Sequence, residues 1–180
     1  MNTLSRLTGQ LCLRRQIKAL RPVLYRLAWS WCHDEHLAED LVQETLVRAL
    51  ERIHQLREPE QLKPWLCRIL SNLHKDCLRA RRDCVDCDEV DLAAEHTPET
   101  ELRRMENISQ VRAAIACLGN EQRKVLTLVD LMEFSYADVA QILDIPVGTV
   151  MSRLSRARGR LKELLSAPSE PLRPALRRVK

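Results

Sequence analysis

Two sets of side chains in this 180-residue sequence have types and spacings that suit chemistry, and the chemistry is recognition. Thr149, Ser152, Arg153, Arg156 and Arg160 recur at intervals of one, three and four. On a helix they share one side, where hydroxyls and guanidinium forks suit base edges and phosphates in a DNA major groove. Arg158 and Lys162 flank that side, within reach of backbone phosphate. Trp65, Arg68, Asn72, Lys75, Arg79 and Arg82 form the second set, a basic stripe headed by an aromatic ring. Such a stripe suits a nucleic-acid backbone track with a stacking platform at one end. Each stripe taken alone also fits an ordinary solvated basic face.

A third group could hold a metal. His74 and Cys77 stand one helical turn apart and Cys84 and Cys87 follow, so four possible zinc ligands fall within fourteen residues. Cys77 also lies on an apolar stripe, and Cys84 and Cys87 lie in a segment without periodicity, so free thiols, rather than a zinc site or a redox pair, are the reading we adopt, with no metal and no cofactor expected. Cys32, His33 and His36 flank a turn between helices and need no ligand to explain them. Glycine-rich phosphate loops, nucleophile elbows and paired catalytic carboxylates are missing from the sequence, which argues against an enzyme.

The elements that must position these residues are helices. Ser135 and Asp138 have the spacing of a capping box, and they open a short helix with Val139, Ala140 and Leu143 inward. Asp144-Ile145-Pro146 ends it, with Asp144 where a left-handed residue is needed. In the next helix Val147, Val150, Leu154, Ala157, Leu161 and Leu164 form the packing stripe, opposite the hydroxyls and guanidiniums. Helix, tight turn and second helix make a helix-turn-helix, supported by Ile108, Val111 and Ile115, then Val125, Leu128 and Leu131. Upstream, one helix buries Leu20, Leu24, Leu27 and Trp31, with Tyr25 and Trp29 helping the packing. A second, from about Glu35 to Ile53, turns Val42, Leu46, Ala49, Leu50 and Ile53 inward and leaves Asp40, Gln43, Glu44 and Val47 outward. A third starts with Pro64 and buries Leu66, Ile69, Leu70, Leu73 and Cys77 beneath the basic stripe.

Scarce glycine and few aromatics, with leucine, alanine, arginine and glutamate abundant, favour an all-α chain of two small helical domains. The expected division is a helical domain over residues 11–82, an acidic flexible linker over 83–102, a helix-turn-helix domain over 103–165 and a disordered tail over 166–180. A formal charge of +4 is modest for a nucleic-acid binder, so the segregation of charge along the chain carries the argument. No apolar run long enough to cross a membrane and no signal-peptide core occur, so stable membrane insertion is not expected and a cytoplasmic location is.

At this point the residues resemble a known family. The stretch His36 to Thr45, Trp65-Leu66 followed by Asn72, Gly119 to Arg123, Tyr136 to Ala140 and Pro146 to Arg158 resembles, in order and spacing, the extracytoplasmic-function (ECF) subfamily of sigma-70 factors. The resemblance implies a factor that binds core RNA polymerase and directs promoter-specific initiation. It implies that Asp40, Gln43 and Glu44 dock on the β′ clamp helices. Trp65, Arg68, Asn72, Lys75, Asp76, Arg79 and Arg82 would take the minus-ten strand, and Thr149, Ser152, Arg153, Arg156, Arg158 and Arg160 the minus-thirty-five element, near the β flap. An anti-sigma partner is also implied. Three departures stand out: Met151 where some relatives carry a basic residue, Ser155 where some carry an aromatic, and Asn120 in place of a common proline. The alternative reading is a stand-alone helix-turn-helix regulator, for which the acidic helix and a second basic stripe have little use.

Overall fold

The computed structural model describes residues 3–56, 58–83 and 110–166, all helix, turn and short connection with no strand among them. The expected linker beyond Asp83 and the expected tail beyond Ser166 lie outside the described residues, as do Cys84 and Cys87.

Helix α1 (Thr3–Ala19) gives way at Leu20 to α2 (Arg21–Cys32), which has Pro22 in its first turn, where a missing N–H costs no hydrogen bond. His33 ends α2 in the left-handed conformation at φ 52°, its N–H returning to the Trp29 carbonyl. Asp34 then caps α3 (Glu35–Glu51), accepting the Leu37 N–H at 2.9 Å. Two single 3₁₀ turns, Ile53–Gln55 and Pro59–Gln61, lead into α4 (Leu62–Asp83). The last helix begins two residues before Pro64, which still falls in the first turn and breaks no ladder. Leu24, Leu27 and Trp31 of α2, Ala38, Leu41 and Val42 of α3 and Leu66, Leu70 and Leu73 of α4 meet in the core, with Ile17 of α1 buried beside them.

Helix α5 (residues 110–116) and α6 (Asn120–Leu126) are joined by a turn through Gly119. α6 widens into a π-helical turn over Thr127–Leu131, closed by a bond from the Met132 N–H to the Thr127 carbonyl at 3.1 Å. The extra residue shifts the phase of the apolar stripe. Leu131, expected inside, is 62% exposed, and Met132 takes its place in the core. Val111, also expected inside, is exposed, and Ile108 is outside the described residues. Helix α7 (Tyr136–Leu143) starts on the complete Ser135/Asp138 capping box and ends on Asp144 at φ 55°, ψ 54°. Its fully buried members are Val139, Ala140 and Ile142, with Leu143 only half-buried. Helix α8 (Val147–Ser166) buries Val150, Leu154 and Ala157.

The two helical groups pack on each other. α4 lies against α7, and α2 against α6, and Cys67, Ser71 and His74 make a second buried line on α4 that single-helix periodicity does not reveal. Trp31 is the centre of this seam. Its indole N–H donates to Thr127 Oγ at 2.8 Å, and its carbonyl accepts from Arg123 at 2.8 Å. The Lys124 ammonium sits 5.2 Å from a Trp31 ring centroid, and the His74 ring 5.6 Å away. Arg123 also donates to the Ile115, Ala116 and Leu118 carbonyls, closing the end of α5. At the far edge Lys63 donates to the Met132 carbonyl at 3.0 Å and lies over the Phe134 ring.

Burial pushes His74 down to about 3, helped by the positive charges of Lys124, Arg123 and Arg81, and pushes His33 down to about 4, helped by Arg123. Both rings are therefore neutral in the folded chain and protonate near 6.5 when unfolded, so the unfolded chain binds more protons over this range. Stability should hold above pH 6.5, fall as pH drops through 5, and level off below 3; urea titrations across this range check it, and His74→Gln should flatten the slope. Thr127→Val removes the acceptor of a buried indole N–H and should cost about 1–3 kcal/mol in the same titration.

Candidate functional site

The outer face of α3 carries Asp40, Gln43 and Glu44, all exposed, beside the exposed Val47. The capped start of α3 and its packing on α2 and α4 fix this face to the core. Glu44 accepts from Arg48 one turn on at 2.7 Å, and Gln43 donates to Glu39, which is also bound by Arg21. These bonds hold the carboxylates in line along the helix, and the hydrogen bonds to Glu39 keep its carboxyl below its ordinary value. Asp40 makes no ion pair among the described residues, so its charge is left for a partner.

On α4 the expected basic stripe is present on the outer face. Arg68, Asn72, Lys75, Asp76 and Arg79 are exposed, and Trp65 is half-buried at the head of the line. The Arg82 side chain lies outside the described residues. Arg79 pairs with Asp76 at 3.7 Å, which leaves Arg68 and Lys75 as unpaired cations of the described stripe. Trp65 and Arg68 line a cleft of about 310 Å³ with Pro64, Gln55, Gln141 and Ile142. The last two belong to α7, so the head of the stripe faces the other helical group.

α8 does not present its guanidiniums evenly. Arg153 is only 25% exposed and pairs with Glu121 of α6, while Arg158 makes a two-pronged bond to Asp130. Arg160 pairs with Glu163 at 3.1 Å. Among the described residues Arg156 bonds only the Ser152 carbonyl of its own helix, and its two terminal nitrogens have no partner there. Ser152 is exposed and Thr149 half-buried. The arrangement therefore splits the expected set into Arg156, Ser152 and Thr149, open to a ligand, and Arg153 and Arg158, which also brace the helix against its own domain.

His74 and Cys77 are not turned toward a common ligand: His74 is buried against Trp31, and no cluster of three or more metal-binding side chains occurs among the described residues. Sequence reading missed Lys63 and Lys124 as seam residues. A buried lysine gives no periodic trace, since its ammonium is held by a ring contributed from another part of the chain. No described helix is long and apolar enough to cross a membrane.

Two groups of helices, one ending in a helix-turn-helix and each with its own basic face, define an all-helical chain with two surfaces suited to nucleic acid. Residues 16–83 match the family Sigma-70 region 2, and residues 108–161 match Sigma-70, region 4. The chain is 38% identical over 154 residues to the ECF RNA polymerase sigma factor EcfG of Rhodopseudomonas palustris (strain TIE-1), covering 85% of this chain and 84% of that one. It is 32% identical over 143 residues to the ECF RNA polymerase sigma factor SigM of Bacillus subtilis (strain 168), covering 78% and 87%. Among solved structures, the sigma factor RpoE in complex with the anti-sigma factor NepR from Bartonella quintana superposes with a TM-score of 0.69 at 31% identity, over 86% of this chain and 96% of that one. The chain belongs to the ECF subfamily of sigma-70 factors, a family of DNA-binding transcription initiation factors, and is an alternative sigma factor. This sets aside the stand-alone regulator.

The division between free and braced cations can be measured. With polymerase reconstituted on promoter DNA, Lys75→Ala should make the plot of log affinity against log salt shallower by about one, as expected for one lost phosphate contact. Arg158→Ala, which removes an already paired cation, should change the slope less.

Proposed function

We propose that this factor binds core RNA polymerase through Asp40, Gln43 and Glu44, takes the minus-ten strand on α4 and reads the minus-thirty-five element with α8. The observation that carries this reading is the presence, in one chain, of an exposed acidic helix face and two separate basic faces on different helical groups. A single duplex-binding surface would need only one of the three. Asp40 and Glu44 meet the β′ clamp helices, with Val47 adding apolar area beside them. Trp65 supplies an aromatic platform, Arg68, Lys75, Arg79 and Arg82 supply phosphate contacts, and Asn72 and Asp76 supply hydrogen-bonding groups for an unstacked base. Thr149, Ser152 and Arg156 face the major groove, while Arg153, Arg158 and Arg160 approach the flanking phosphates and the domain stays beside the β flap. The protein acts by binding alone, with no catalytic step, no metal and no cofactor, in the cytoplasm where the polymerase works.

The packed arrangement bears on how this works. A folded chain of this length is about 40 Å across. The two promoter elements, named for positions 25 base pairs apart, are separated by about 85 Å of B-form duplex. One closed chain cannot reach both, so the Trp31 seam opens when the factor engages promoter DNA. An anti-sigma partner fits the same reading: the Bartonella relative was solved with one, and a protein that holds the two halves together would keep the α4 cleft covered.

Run-off transcription with core polymerase and the host's own promoters tests the proposal. Transcripts should appear with the wild-type chain and be lost with the Asp40→Arg, Glu44→Arg pair, whose fold is intact because both positions are exposed. Unchanged transcription from that pair would place core binding elsewhere.

A further inference from the structure

Helix α8 meets the major groove with its first turns, and the two large exposed side chains there are apolar: Val147 is 43% exposed and Met151 54%. At 3.6 residues per turn, Met151, Ser155, Gly148 and Ser152 succeed one another around the outer face. Gly148 has open space where a side chain would stand, and the two serines are short, so Met151 is the one bulky projection of that face. The guanidiniums that could have read guanine nearby are engaged with the protein itself, Arg153 with Glu121 and Arg158 with Asp130. Ser152 spends its hydroxyl proton on the Thr149 carbonyl. What remains is a flexible, polarizable thioether with an isopropyl group one turn behind it. Of the features on the major-groove edges of the four base pairs, the thymine C5-methyl is the one apolar group that such a pair can bury.

Resting on the assignment of α8 to the minus-thirty-five element, we propose that Met151, backed by Val147, is a specificity-determining residue that selects thymine by its C5-methyl. Arg156 supplies the polar contact on the other side of Ser152, and Met151 supplies the apolar one, so the sequence read is set by both.

The test uses holoenzyme assembled from core polymerase and the full chain. Promoters randomised in the upstream element are selected for binding, and each selected thymine is then replaced by deoxyuridine, which removes the methyl and keeps every hydrogen-bonding group. At one or two positions uracil should weaken holoenzyme binding about fourfold, the effect of one buried methyl. Met151→Ala, at an exposed position that leaves the core intact, should bind thymine and uracil equally there. Indifference of the wild-type holoenzyme to uracil at every position overturns the proposal, as does discrimination that survives in Met151→Ala. Recovery of no upstream motif at all from a holoenzyme that initiates overturns the assignment of α8 to that element, and the proposal with it.

Discussion

Trp31 is where the two halves of the chain meet, and the rest of the architecture is arranged around it. Its ring is buried in the core of the first helical group, its indole N–H bonds Thr127 of the second, and its carbonyl accepts from Arg123. Arg123 in turn closes the end of α5, so the same side chain that seals the helix-turn-helix domain also ties it to α2. The π-helical turn that begins at Thr127 follows from the same spot. It sets Thr127 at the indole while bringing Met132 into the core and its carbonyl to Lys63. The seam is thus polar at both edges and aromatic at its centre.

That composition suits a contact made and broken rather than a permanent one. Lys124 is buried with an aromatic face but no carboxylate paired to it among the described residues, and desolvation brings its ammonium down to about 8. His74 Nδ1 is buried against Trp31 without a hydrogen-bond partner among the described residues. Each such group regains full hydration when the halves part, which offsets part of the apolar area re-exposed. A seam of leucines would be harder to open, because nothing in it would gain from water.

Much of the fold was legible because local rules and tertiary packing agree. Ser135 and Asp138 form the capping box their spacing implies, and Asp144 occupies the left-handed position before Pro146. The buried centres of α3 and α8 follow from period, Val42 and Ala49 in one and Val150, Leu154 and Ala157 in the other, whereas Val147, expected on the packing stripe, is exposed at the start of α8. The misreadings come from features that the period of a single helix does not carry. Leu131 turns outward because the π-turn shifts the phase of the stripe and brings Met132 into the core. Cys67, Ser71 and His74 were not read as a buried line because the period of α4 alone does not show what packs on that side, such as Trp31 against His74. The same holds at the site: residue types named the basic stripes, but only the positions of Glu121 and Asp130 divide braced guanidiniums from free ones.

This division has a consequence for how the factor distributes affinity and selectivity. On the outer stripe of α4, Arg68 and Lys75 are unpaired among the described residues, and an open cation adds to binding of any sequence by releasing counterions from phosphate. Charge on α8 is mostly braced, so less of its contribution is generic attraction. A recognition helix with few free cations has to obtain selectivity from shape and from apolar and hydroxyl contacts, each worth little alone. Such a helix gains from being delivered to its element by contacts made elsewhere, on the polymerase and along the α4 track. On the proposed assignment of α4 and α8, weak, selective reading at one end depends on unselective holding at the other, which is the division of labour that two domains on one chain make possible.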